Sequence, residues 1–134
     1  MKIQHVHLEY VNQVWPKVED YIRWALDYQT DYTIEHVKVF IATGAWTLVV
    51  AVDEAGEIKG ASAVQFFNRP NDRVAFVVAM GGKLISSKDT FQQFSDLLKA
   101  FGATAIEGAA RESIARLWKR YGFEEKYRIV GAKL

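Results

Sequence analysis

His5, His7 and Glu9 place two imidazoles and a carboxylate at two-residue intervals near the start of the chain. In an extended strand alternate residues share a face, and an H-x-H pair with an acid beside it is a donor set that suits zinc. Same-face neighbours on one strand stand ~6–7 Å apart, too far for all three to grip one ion without distortion. No metal is therefore expected, and an exposed sheet face or a subunit contact is the simpler reading. The chain has no cysteine. Disulfides, thiolate metal sites and a cysteine nucleophile are excluded, and the composition fits a reducing compartment.

A second constellation is Gly81-Gly82-Lys83-Leu84-Ile85-Ser86-Ser87-Lys88-Asp89, just ahead of a run with helical spacing. Free N–H groups at a helix start hold anions, and hydroxyls with Lys83 and Lys88 add donors and charge. Asp89 competes for the same N–H groups, however, and the two glycines precede the helix rather than occupying its first turn. An ordinary cap by Ser86 or Ser87 explains the pattern more simply.

Charge is uneven. Residues 111–134 carry seven Lys/Arg and three acids, so they are +4 and residues 1–110 are −3, against a net +1. A basic segment can meet phosphate in a cofactor or a polynucleotide, and most such runs are solvated helix faces. No RNA-binding signature accompanies it, so nucleic acid is not the expected partner. The aromatics at strand and helix spacing, Phe66, Phe67 and Phe76 among them, are best explained as core. No window approaches the ~20 apolar residues of a membrane span. The first ten residues lack the apolar core of a signal peptide. The last three, Ala132-Lys133-Leu134, resemble a peroxisomal address, but so short a match arises easily by chance. The protein is expected in the cytoplasm.

The elements that must position these groups follow from periodicity. At 134 residues the chain suits one domain, 1–134. Residues 2–10 read as a strand with Val6, Leu8 and Tyr10 on one face. A helix follows from Pro16, at a first position where its missing N–H costs nothing, to Tyr28. Thr33 caps a second helix that stops near Gly44. Trp46–Val52, Glu57–Phe67 and Arg73–Met80 form a meander of strands separated by turn residues. A helix capped by Ser86 or Ser87 reaches Phe101. Thr104–Ala109 is a strand, Arg111–Tyr121 a helix ended by Gly122, and Phe123–Val130 a last strand. The order is β-α-α-β-β-β-α-β-α-β. The strand–helix–strand step requires a right-handed crossover and one parallel pair. The fold class is α/β (α+β): a mixed, mostly antiparallel sheet flanked by about four helices.

This order resembles that of the GNAT superfamily, the acyl-CoA N-acyltransferases. The frame N-x-x-A-I-x-L-Y-x-x-x-G-F, common near the end of its members, is met by Arg111-Glu112-Ser113-Ile114-Ala115-Arg116-Leu117-Trp118-Lys119-Arg120-Tyr121-Gly122-Phe123. Leu117, Gly122 and Phe123 match outright, while Arg111 stands for the asparagine and Trp118 for the tyrosine. Phe101-Gly102-Ala103 with Ala105-Ile106-Glu107, and Ile58-Lys59-Gly60-Ala61, are also similar to the family.

The resemblance implies acetyl-CoA as cofactor and no metal. Acyl-CoA would lie beside the strand ending at Val78, Ala79 and Met80, with its phosphates near Lys83, Ser86, Ser87 and Lys88. The family's R-x-x-G-x-G/A loop is absent here. Where the family has a tyrosine that protonates the departing thiolate, Trp118 offers only an N–H donor. Tyr121 or Tyr127 would have to substitute, and Glu107 is the carboxylate placed to activate an amine. Two expectations result. One is an N-acetyltransferase acting on a small-molecule or protein amine, with lost or weakened catalysis possible. The other is a non-catalytic binding or structural component, similar to small phage-encoded GNAT-like proteins. A homodimer is a further expectation.

Overall fold

The structure, a computed structural model, describes residues 1–134. A short strand β1 (Lys2–Val6) leads through a 3-10 turn (Leu8–Tyr10) into α1 (Val11–Ala25), and α2 (Ile34–Ala42) follows. The meander β2 (Thr47–Val52), β3 (Ile58–Asn68) and β4 (Arg73–Gly82) comes next, then α3 (Lys88–Ala100), β5 (Ala105–Gly108) and α4 (Glu112–Trp118). The five strands lie in sequence order in one sheet. The first three pairings are antiparallel, and β4 pairs with β5 in parallel. The expected fold class holds: a mixed sheet with four helices.

Alternation along β2 shows how the sequence makes three layers. Leu48 and Val50 pack under α1 and α2 with Val18, Ile22 and Val37. Val49 and Ala51 face the other way, towards Phe94 and Leu98 of α3 and Trp118 of α4. A strand buried on both faces must be apolar along its buried stretch, as Leu48 to Ala51 are.

Three sequence expectations need correction. Pro16 lies inside α1, not at its start. Val11, Trp15, Val18 and Ile22 form one buried stripe that runs past the proline. An interior proline costs ~3 kcal/mol. Burying a valine and a tryptophan ahead of it returns a comparable amount, at about 1.5–3 kcal/mol for each large apolar side chain. β1 ends at Val6, and Leu8 and Tyr10 are exposed in a turn capped by His7, whose ring accepts a hydrogen bond from the Glu9 N–H at 3.3 Å. The triad of His5, His7 and Glu9 therefore does not share one strand face, and the His5 ring packs edge-on to Phe101 instead. The expected last strand, 123–130, joins no sheet: Ile129 and Val130 are 87% and 91% exposed. Its only neighbour would be β5, and a four-residue edge offers too few ladder bonds to offset the ordering of eight more residues.

Candidate functional site

The sheet forks at the end of β5. The last β4–β5 pair is Val77 with Gly108. Beyond it Val78, Ala79 and Met80 continue beside β3, whereas Ala109 and Ala110 turn away into α4. A register slip in the β3–β4 ladder between Ala63 and Val64 leaves Val78 as an extra residue. Such a bulge breaks strict alternation. Val78 and Ala79, though consecutive, accordingly both join the core under α1. The fork opens a cleft with a cavity of about 50 Å³, walled by β4, the residues after α1, and α4. That is room for one or two waters or a group as small as an acetyl, since a water occupies ≈ 30 Å³ in the liquid.

Few polar groups reach this cleft. The Tyr28 hydroxyl donates to the Val78 carbonyl at 2.8 Å, at the first residue past the fork. Burial, with Tyr32 and Asp31 nearby, pushes its phenol up to about 12. Asp27 and Arg111 form an ion pair at 2.6 Å that ties the end of α1 to the residue ahead of α4. Trp118, 8% exposed, lays its ring over Gly108, where a Cβ would stand only 2.9 Å from the indole. The family resemblance singled out Val78, Ala79 and Met80, and all three line the cleft. It missed Tyr28 and Asp27, whose partners are 50 and 84 residues away in the chain. No local signal marks either of them.

The four polar residues expected to hold phosphate lie elsewhere. Lys83, Ser86, Ser87 and Lys88 sit at the start of α3 and do not line the cleft. Ser87 is the cap: its hydroxyl accepts from the Thr90 N–H at 3.1 Å. The Thr90 hydroxyl in turn accepts from the N–H groups of Ser86 (3.0 Å) and Ser87 (3.1 Å). Those amides are already satisfied. Asp89 turns its carboxylate to Gln93, at 2.9 Å. The preceding glycines serve packing. A Cβ at Gly81 would overlap the backbone carbonyl of Tyr21 in α1.

None of Glu107, Tyr121 and Tyr127 lines the cleft. Tyr121 packs its ring on Phe91 at 5.3 Å, and Tyr127 is exposed on the tail. The Glu107 carboxylate, 10% exposed, is held by Arg69 and, at 2.8 Å, by Lys126. Burial raises this acid, but hydrogen bonds from Arg69 and Lys126 outweigh it and leave the carboxyl below its usual range. A carboxylate so occupied is a weaker base than a free one. A group depressed in the fold stabilises above its unfolded pKa, and that contribution is lost as pH falls through the folded value. Melting temperature measured from pH 7 downwards should thus fall with a step below about pH 4.3, the ordinary glutamate value. Glu107→Gln should lack that step.

No family model and no curated protein matches the sequence. Solved structures match it over its whole length. A probable acetyltransferase superposes with a TM-score of 0.71 at 14% identity, covering 100% of this chain and 97% of that one. A ribosomal-protein-alanine N-acetyltransferase from Brucella melitensis biovar Abortus 2308 gives 0.67 at 13%, with 100% of both chains covered. An aminoglycoside acetyltransferase from an uncultured soil metagenomic sample, in complex with sisomicin, gives 0.69 at 12%, covering 99% and 95%. At such identities the likeness is one of fold: the chain has the GNAT acetyltransferase fold.

Proposed function

We propose that this GNAT-fold protein binds an acyl thioester of coenzyme A at the fork between β4 and β5 and transfers the acyl group to an amine. The observation that carries this reading is the fork itself. Past Val77 and Gly108 the strands stop pairing, and an apolar slot with a β-bulge opens beside free strand backbone. An extended ligand adds to such an edge through main-chain hydrogen bonds, and apolar walls take its acyl end. The acyl end fits the residues present. The phosphate end finds two exposed lysines, Lys83 and Lys88, but no glycine cradle, because the amides of Ser86 and Ser87 are already bonded to Thr90. Trp118 and Ile114 give the slot apolar side chains on its α4 side. The cysteine-free composition suits the cytoplasm.

A second reading has one observation of its own. Trp118 occupies the wall over Gly108, and Tyr28 already engages the Val78 carbonyl. A protein closed in this way would bind a partner without catalysis, as a component like the small phage-encoded relatives of the fold. Calorimetric titration with acetyl-CoA, followed by thiol release across an amine panel, separates the two. Binding at micromolar to millimolar acetyl-CoA with thiol release supports transfer. No heat and no melting shift at millimolar acetyl-CoA removes it. Binding without thiol release from any amine leaves the second reading.

A further inference from the structure

We propose that Tyr28 positions the acceptor amine, its phenol oxygen taking a hydrogen bond from the attacking nitrogen at the fork. The inference rests on the acyl-transfer reading above and names the residue that would handle the second substrate.

The argument starts from where the hydroxyl is. Val78 is the first residue of β4 past the last β4–β5 pair, and the Tyr28 hydroxyl donates to its carbonyl at 2.8 Å. The single proton of the phenol is committed to that carbonyl. What the oxygen offers the cleft is therefore its remaining acceptor capacity. A neutral primary amine has the complementary need: two N–H donors to place and one lone pair to aim. An acceptor fixed at the fork holds one N–H and turns the lone pair towards an acyl carbon lying in the slot. The raised phenol pKa, about 12, keeps this oxygen protonated and its bond to Val78 intact through neutral pH.

The neighbours point the same way. Among the residues lining the cleft, Tyr28 is the one phenol and Asp27 the one carboxylate, and they are adjacent in sequence. A primary amine reaches a protein as an ammonium ion near neutral pH. Asp27 is half-exposed and its charge is already paired with Arg111, which also lines the cleft, so the pair leaves the cleft without a free net charge and suits the neutral form of the amine. Opposite them stand Ala109, Ala110, Ile114 and Trp118, which offer no acceptor side chain beyond the indole, a donor only. The amine side of the cleft is thus the α1 side.

The step balances as follows. The ammonium loses one proton to solvent. The neutral nitrogen forms a C–N bond to the acyl carbon, and the C–S bond breaks with its electron pair going to sulfur. A nitrogen proton reaches the sulfur through water, and the products are an amide and a thiol. Tyr28 keeps its own proton throughout.

The test uses the full chain with acetyl-CoA and a primary alkyl amine that supports turnover. Tyr28→Phe should raise the amine KM and lower kcat, by about ten- to a hundred-fold together in kcat/KM at saturating acetyl-CoA. Tyr28→Trp separates positioning from support. It supplies an N–H for Val78 but no lone pair, so it should restore melting temperature without restoring amine kcat/KM. Unchanged amine kinetics in a folded Tyr28→Phe would overturn the inference and leave acyl transfer standing. So would full recovery of kinetics in Tyr28→Trp. A wild-type protein that binds acetyl-CoA but releases thiol with no amine removes the transfer reading, and this one with it.

Discussion

Gly81→Ala should be among the most destabilising single substitutions in this protein, lowering stability by about 3 kcal/mol, the upper end of the overpacking range. The added Cβ would overlap the Tyr21 backbone carbonyl oxygen and stand 2.9 Å from its carbon. Both belong to the main chain of α1, so no rotamer change relieves the contact. The helix must lift from the sheet, and Val18 and Ile22, buried on the same stripe, would lift with it. Gly56→Ala is the contrasting control. Unlike Gly81, Gly56 sits at a left-handed φ, +82°, and its Cβ would meet nothing within 4 Å. It should cost only the local strain, about 1–2 kcal/mol. Urea denaturation at equal protein concentration gives both numbers. The comparison has a functional edge. A glycine kept for close approach to phosphate would, on substitution, weaken acetyl-CoA binding and spare the fold. Gly81→Ala should do the reverse order of damage, unfolding first.

That contrast explains what was readable in the sequence and what was not. The meander was legible because its signals are local. Asp53 to Gly56 and Asn68 to Asp72 are turn residues between apolar runs, and β2 to β4 fall where those runs are. Thr33 and Ser87 were legible as caps because each bonds an N–H three residues on, with His36 and Thr90. Pro16 misled, since a rule about the first helical turn cannot see that Val11 and Trp15 have a core to enter. The tail misled for the opposite reason. Residues 123–130 have strand-like composition, but a strand needs a neighbour, and β5 gives four residues of edge. The cleft was only half legible. Val78 to Met80 came from the family resemblance, laid on a strand end that local pattern had placed. Tyr28 and Asp27 came from contacts 50 and 84 residues apart in the chain, Tyr28 to β4 and Asp27 to Arg111, and spacing carries no trace of these. Glu107 looked available because its two cationic partners, Arg69 and Lys126, lie 38 and 19 residues from it.

Trp118→Ala should destabilise by about 3–5 kcal/mol, the range for emptying a buried tryptophan site. The indole covers Gly108 and packs on Phe123 at 5.3 Å, and Phe123 in turn meets Phe91 of α3 at 5.9 Å. Phe123 is the one residue of the tail in the core. Removing the indole therefore frees the tail as well as opening the cleft. Limited proteolysis should show cleavage after Lys119 or Arg120 in Trp118→Ala under conditions where the wild type resists. Trp118→Tyr should behave differently. A smaller aromatic keeps most of the contact with Gly108 and Phe123, so the loss should stay near 1–2 kcal/mol, within the range for partial core truncation. It also places a phenol on the α4 wall of the cleft, a proton source for a departing thiolate that the indole cannot provide. If acyl transfer runs in this cleft and thiolate departure limits it, kcat should rise in Trp118→Tyr while Tm falls slightly. Both changes together would assign Trp118 to closing the cleft rather than to chemistry. A fall in kcat with the modest loss in Tm would mean instead that the indole itself holds the acyl group in place.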